Sequence, residues 1–316
     1  MNDSIFLVGG RVLTLFLILF VGLYARKINI LDPGSTKKLS AFLLNITQPL
    51  MIITSFQMDF DAEKLREGGG LFVTSAVIHV FTAAAVLLFF KPVRNFEQRK
   101  VYQMCALFGN VGFLGFPVLS VVFGDYMGIF YGVFYGMFFN IFIWTYGVYL
   151  ISKKEDAKGK IKLPVKEIFL NAGMLASIAG IIMFVLRIRI PLVLLNSMEL
   201  TGDMTFPLAM VIIGSLIYDI KLKEVFTDKK IYYFMFIKLI ALPVIILFAG
   251  RLLNLPELFI YMGALMSAMP SAAMAAMFAE TYDSDARAAA ANVGVSTLFS
   301  IVSIPAVIWL IELVLR

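Results

Sequence analysis

Two short stretches carry residue types out of keeping with the apolar runs around them. The first is Gly109-Asn110-Val111-Gly112-Phe113-Leu114-Gly115-Phe116-Pro117, inside an apolar run from Val101 to Phe123. The second is Met266-Ser267-Ala268-Met269-Pro270-Ser271-Ala272-Ala273, inside a run from Leu258 to Thr281. A stretch so rich in glycine and proline cannot sustain one straight helix. A break in lipid is tolerated only where the loosened backbone faces protein or a water-filled cavity. Pro117 and Pro270 each suit the first position of a second half-helix, where the missing N–H is not needed. Free N–H groups at two such starts, together with the positive ends of both helix dipoles, would make an anion site. Asn110 and Ser271 add an amide and a hydroxyl, Gly112 and Gly115 allow close backbone approach, and Ala272 stands beside them. Two plain proline kinks are the blander alternative, but a kink does not require so many break residues.

Further polar residues lie in other apolar runs. Asn45 and Gln48 are expected to share one face just before Pro49 and to line the same cavity. Arg11, Lys238 and Asp203 are the charged candidates within the runs, and His79 is the single histidine. Ionisable groups at membrane depth are functional candidates by default. Arg11 and Lys238 could complement an anion, although Lys238 is close enough to a run's end to snorkel. Asp203 could be a plain interfacial charge or a coupling residue. His79 could shuttle protons or be a satisfied buried imidazole.

The elements that position these residues follow from composition. Of 316 residues, 60% are hydrophobic and 15% charged, which excludes a soluble domain and indicates a polytopic membrane protein in contact with lipid. The 27 basic against 21 acidic residues fit loops held on one side of a membrane rather than nucleic acid, so no nucleic-acid partner is expected. The lone Cys105 permits no intrachain disulfide and reads as a small buried side chain. No hydrolase, phosphate-loop or metal-ligand spacing appears, so no enzyme is indicated, and no cofactor.

Apolar windows of about 20 residues fall at Ile5–Ala25, Leu39–Phe56, Leu71–Phe90, Val101–Phe123, Gly128–Ile151, Ile168–Leu186, Leu192–Ile217, Ile231–Ala249, Leu258–Thr281 and Ala288–Val314. The chain is read as starting with a retained span rather than a signal peptide. Lysine and arginine concentrate in the odd-numbered loops, which predicts those loops in the cytoplasm, with both termini and the loop around Gly68 outside. Ser152–Glu167 is then a cytoplasmic linker between residues 1–151 and 168–316. Each half holds an odd number of spans, so related halves would enter the membrane with opposite orientation. The expected fold class is an all-α membrane protein of ten transmembrane helices in two inverted five-helix repeats, with helices 4 and 9 broken. Gly128, Gly132 and Gly136 form a smooth strip on one helix face. The neighbour that packs there belongs either to the same chain or to a second copy in a homodimer.

These residues together resemble the auxin efflux carrier family, whose bacterial members include malonate and malate permeases. The resemblance spans nearly the whole chain. It is strongest at Gly109 to Pro117, at Ala268-Met269-Pro270-Ser271, at Ala279-Glu280-Thr281-Tyr282-Asp283-Ser284-Asp285 and at Ser296-Thr297-Leu298, with Pro207 and Gly214 in the seventh window. It implies a scaffold of helices 1, 2, 6 and 7 and a transport bundle of helices 3–5 and 8–10, whose broken helices cross at the substrate. It also implies elevator-like movement of a small organic anion, such as malate, malonate or an auxin-like acid, across the plasma (inner) membrane. The short Ser152–Glu167 loop is nearer the bacterial type. Sodium-coupled bile acid carriers share the architecture but use polar and acidic ion ligands, where this chain has Val111, Phe113, Ala272 and Ala273. Sodium coupling, proton coupling and uniport therefore stay open. A solute sensor on the same fold is a further alternative.

Overall fold

The computed structural model describes residues 2–153, 170–218 and 229–315, with side chains from residue 14 onward apart from Leu15. The Arg11 side chain and nearly all of the Ser152–Glu167 linker lie outside these residues. Among the described residues the chain is helical. In order the helices are α1 (Asn2–Lys27), α2 (Pro33–Phe42), α3 (Gln48–Ser55), α4 (Ala62–Phe89) and α5 (Phe96–Leu107). Then come α6 (Val111–Phe123), α7 (Asp125–Ser152), α8 (Ala172–Val185), α9 (Leu192–Gly202) and α10 (Thr205–Tyr218). The last are α11 (Lys229–Leu252), α12 (Glu257–Ser267), α13 (Ala273–Thr281) and α14 (Ala286–Leu315). Among the described residues, five segments are long and apolar enough to cross a bilayer: α4, α7, α9 with α10, α11 and α14. α4 begins at Ala62, well before the apolar window, so Gly68 lies buried within a helix and not in a loop.

Local chemistry sets the ends. Asp32, Asn95 and Asn171 cap α2, α5 and α8, their side-chain oxygens accepting from the N–H groups of Ser35, Gln98 and Met174 at 2.6, 2.9 and 2.9 Å. Asn29, Arg187, Asn254 and Asp283 turn the chain with positive φ just beyond α1, α8, α11 and α13, and Gly124 does so between α6 and α7.

Among the described residues, four π-helical turns interrupt the helices: Leu43–Thr47, Val111–Gly115, Ile143–Gly147 and Ile237–Ala241. Three of them end two residues before a proline, at Pro49, Pro117 and Pro243. Proline offers no N–H to the carbonyl four residues back, and its ring crowds that carbonyl. That carbonyl lies in the middle of each of these turns, and the wider turn accommodates it.

The chain forms two compact units. The first comprises Met1–Phe72, Gly112–Phe138 and Lys166–Asp219, and the second Val73–Val111, Phe139–Val165 and Ile220–Arg316. In the first unit α1 and α10 meet through reciprocal glycines. A methyl at Gly22 would overlap the backbone of Val211, and one at Gly214 would overlap the carbonyl of Leu19. Phe56, Phe130 and Phe184 cluster in the same unit in sequence-distant contact, with ring centroids 4.9–6.3 Å apart. A methyl at Gly128 would overlap the backbone of Leu119, and one at Gly132 would press on the Leu119 and Phe116 side chains. The smooth strip of α7 therefore packs on α6 of the same chain.

In the second unit Phe90 stacks on Tyr102 at 5.7 Å, and Phe234 packs against both. Lys100 is buried there and pairs with Glu97 at 2.9 Å, while its ammonium also donates to the carbonyls of Ile151 and Lys153 at the end of α7.

Candidate functional site

The core of the candidate site lies within the second unit. α5 ends at Leu107 with Phe108 extended beyond it, and α12 ends at Ser267, followed by a turn at Ala268 before the backbone extends at Ala272. Gly109 and Ser271 then face one another as an antiparallel bridge. The N–H of Asn110 donates to the carbonyl of Pro270 at 2.7 Å, and that of Ala272 donates to the carbonyl of Phe108 at 2.9 Å. Two broken helices thus satisfy part of each other's backbone, which lipid cannot do. The fit at Gly109 is tight, since a methyl would sit 3.1 Å from the Met266 carbonyl oxygen and 3.2 Å from Met269 Cβ.

This pairing corrects the expected roles of the prolines. Pro270 is not the first residue of the second half-helix: α13 starts three residues later, at Ala273, with no side-chain cap. Pro117 lies within α6, which starts with the π-turn at Val111. The N–H groups directly after Pro270 are also engaged, since Ser271 donates to Ser296 Oγ at 3.0 Å and Ala272 to Phe108. In both places the backbone pairing of the crossing precedes the helix start, which lies before Pro117 and after Pro270.

What the crossing leaves over is side-chain chemistry. The Ser271 hydroxyl, 0% exposed, has no hydrogen-bond partner among the described residues. Neither the nitrogen nor the oxygen of the Asn292 amide has one, and that residue is 1% exposed. The Cys105 thiol lies against both groups, but a thiol is a weak donor and acceptor and forms no hydrogen bond of normal geometry with either. Leaving a polar group buried and unpaired costs about 1–3 kcal/mol, so such groups at a crossing call for a ligand. Asn110 is buried in the same place.

Lys238 completes this set. It lies in the π-turn Ile237–Ala241, is 1% exposed, and donates to the carbonyl of Ser267 at 3.3 Å. An ammonium suits that place, since Ser267 ends α12 and its carbonyl is at the negative end of the helix dipole. The snorkelling geometry is not adopted. No carboxylate pairs with Lys238 among the described residues.

Of the other candidates, His79 lies beside Phe108 of the crossing, with ring centroids 6.2 Å apart. His79 is buried, with Nδ1 2.7 Å from the Ser75 carbonyl, so Nδ1 carries the proton; its ring packs between Phe139 and Phe142. Asp203 is exposed at the break between α9 and α10. In the first unit Gln48 is buried, and its amide nitrogen lies 3.4 Å from where a methyl at Gly112 would sit. Gly115 has ordinary helical angles, φ −62° and ψ −51°. Asn45 does not share the Gln48 face. The π-turn Leu43–Thr47 inserts an extra residue per turn, leaving Asn45 exposed and its amide donating to the Ala41 carbonyl at 2.8 Å.

Asn292 was not singled out from the sequence. Its signal is a carboxamide within the apolar run of α14, one helical turn before Ser296, which holds the Ser271 N–H. No group of three or more His, Cys, Asp or Glu residues among the described residues is placed to hold a metal ion.

Comparison with known proteins agrees with this architecture. A family model described as "Membrane transport protein" matches residues 7–308. An uncharacterized transporter of Methanocaldococcus jannaschii is 26% identical over 306 residues, covering 95% of this chain and 97% of that protein. The uncharacterized transporter YfdV of Escherichia coli K12 is 23% identical over 313 residues, covering 96% and 98%. With a broken-helix crossing, apolar helices long enough to span a bilayer and a family match over almost its whole length, the chain is a multi-pass membrane protein belonging to the auxin efflux carrier family of membrane transport proteins.

Proposed function

We propose that the protein is a secondary transporter that moves a small organic anion, a carboxylate such as malate or malonate or an auxin-like acid, by elevator-like alternating access. The observation that carries this reading is the Lys238 ammonium, buried with no carboxylate among the described residues beside it, at a crossing whose Ser271 hydroxyl and Asn292 amide lack partners among those residues. A buried cation is stable only with a counter-charge or hydrogen bonds that replace water. An anion supplies the charge, and the neutral donors orient it. Ten spans in two inverted repeats suit such a carrier. Paired irregularities support that plan: Asn29 and Arg187 carry positive φ after the first and sixth windows, Gly124 and Asp283 after the fourth and ninth.

The test is equilibrium binding on the purified chain. A thermal-shift panel of mono- and dicarboxylates, aromatic acids and amino acids, with and without sodium, selects the ligand and reads ion dependence. Asn110→Ala and Ser271→Ala are expected to lose about 1.5–3 kcal/mol of binding, roughly ten- to hundredfold in affinity, while remaining folded. Ser271→Asp should lose more, because a tethered carboxylate would take the place of the ligand. If all three bind the best acid as tightly as the wild type, the crossing is not the anion site. Tight binding without flux in proteoliposomes would mark a solute sensor instead.

A further inference from the structure

The unpaired atoms around the crossing differ in kind, and their kinds restrict the ligand further. Lys238 provides one ammonium, whose single hydrogen bond goes to the Ser267 carbonyl, whereas an ammonium carries three donors. The other buried lysine among the described residues, Lys100, is already paired with Glu97. One uncommitted positive charge balances one negative charge. A dianion would bring a second carboxylate into the same interior with no further buried cation to meet it among the described residues, and an isolated buried charge is far more costly than one hydrogen bond is favourable.

The Asn292 amide adds a second restriction. Whichever way the amide is turned, one of its two unpaired atoms is a donor and the other an acceptor. An ionised carboxylate has acceptors only. It can receive the Asn292 N–H, the Lys238 ammonium and the Ser271 hydroxyl, but it would set its lone pairs against Asn292 Oδ1. That oxygen needs a donor, and the adjoining Cys105 thiol is too weak a one to fill the need.

We infer that the site takes a monoanion joining one ionised carboxylate to one hydrogen-bond donor, with Lys238 balancing the charge and Asn292 Oδ1 accepting from the donor. A 2-hydroxy monocarboxylate or the half-protonated form of a dicarboxylic acid has this pattern. The inference rests on the anion-transport reading and narrows it. Asn292 is the residue that sets the preference, since the other groups accept any carboxylate.

Matched acids test this on the purified full chain. Lactate and propionate differ by one hydroxyl, and 2-methoxypropionate keeps that oxygen while losing its proton. The wild type should bind lactate at least about tenfold more tightly than either, since each of the others leaves Asn292 Oδ1 unpaired. Asn292→Val should bring the lactate-to-propionate ratio close to one. Asn292→Asp, which has the same shape, should abolish binding of all three by placing a second carboxylate against the ammonium. Equal affinities of the wild type for lactate and 2-methoxypropionate overturn the inference without any variant having to fold, and leave the anion reading standing. A preference retained in Asn292→Val overturns it as well. Failure of every carboxylate in the wider panel to bind the wild type overturns the anion reading itself. An ordered water alone beneath Asn292 gives a wild-type ratio near one and counts against the inference.

Discussion

The ammonium of Lys238 lies 3.3 Å from the carbonyl oxygen of Ser267, the last residue of α12. It is therefore tied to the edge of the crossing by a single bond to the backbone. Four residues further on, Ser271 is held by its own N–H to Ser296 while its hydroxyl has no partner among the described residues. Charge and neutral donor are thus delivered by α11 and by the break between α12 and α13 to one part of the second unit.

This arrangement makes charge at residue 238 more important than shape. Lys238→Ala should weaken binding of the best organic acid by about 1.5–3 kcal/mol, whereas Lys238→Arg should retain more of it, since the charge remains although the planar fork fits less well. Titration of purified variants, with uptake measured in proteoliposomes at matched protein content, reads the difference. Wild-type affinity in both variants would leave the lysine only its bond to Ser267.

Glycine substitutions separate packing from propensity. Gly214→Ala should destabilise the first unit strongly, because the added methyl meets the Leu19 backbone, which cannot rotate away as a side chain can. Gly69→Ala in α4 has nothing within 4 Å of the new methyl and should be neutral or stabilising by up to about 1 kcal/mol. Melting curves of the two variants in one detergent give the comparison. Equal stability would mean that α1 and α10 do not pack through their glycines.

Side-specific labelling tests the expected orientation. In a Cys105→Ala background, cysteines at Glu63 and beside either terminus should react with a membrane-impermeant maleimide in intact cells, and cysteines at Ser152 and Ser284 should be protected until the membrane is opened. Gly68 is unsuited to the test because it is buried against Phe134. Reactivity at Ser152 in intact cells would reverse the basic-residue assignment.

The two breaks were legible because glycine, asparagine and proline are conspicuous among apolar residues, and each apolar window does carry helix among the described residues. The positions of the half-helix starts were not legible. They depend on the pairing of Asn110 with Pro270 and Ala272 with Phe108, a contact between residues more than 150 positions apart that no local preference encodes. Asn45 and Gln48 were misjudged because a π-turn changes the residues per turn between them, and the sign of that turn was Pro49 itself. Asn292 escaped notice for a different reason. One carboxamide in a helix has no period, and only the neighbouring Ser271 and Cys105 show that its face is the one turned toward the crossing.

The crossing is joined by main-chain atoms, and its one demand on side-chain size in that pairing is at Gly109. A joint of this kind is indifferent to most of the chemistry displayed around it. Replacing Ser271 or Asn292 removes no bond that holds the two broken helices together, since the Ser271 N–H stays in place whatever its side chain. Selectivity can accordingly drift while the architecture stands still, and carriers built on one such joint can diverge in cargo through very few substitutions.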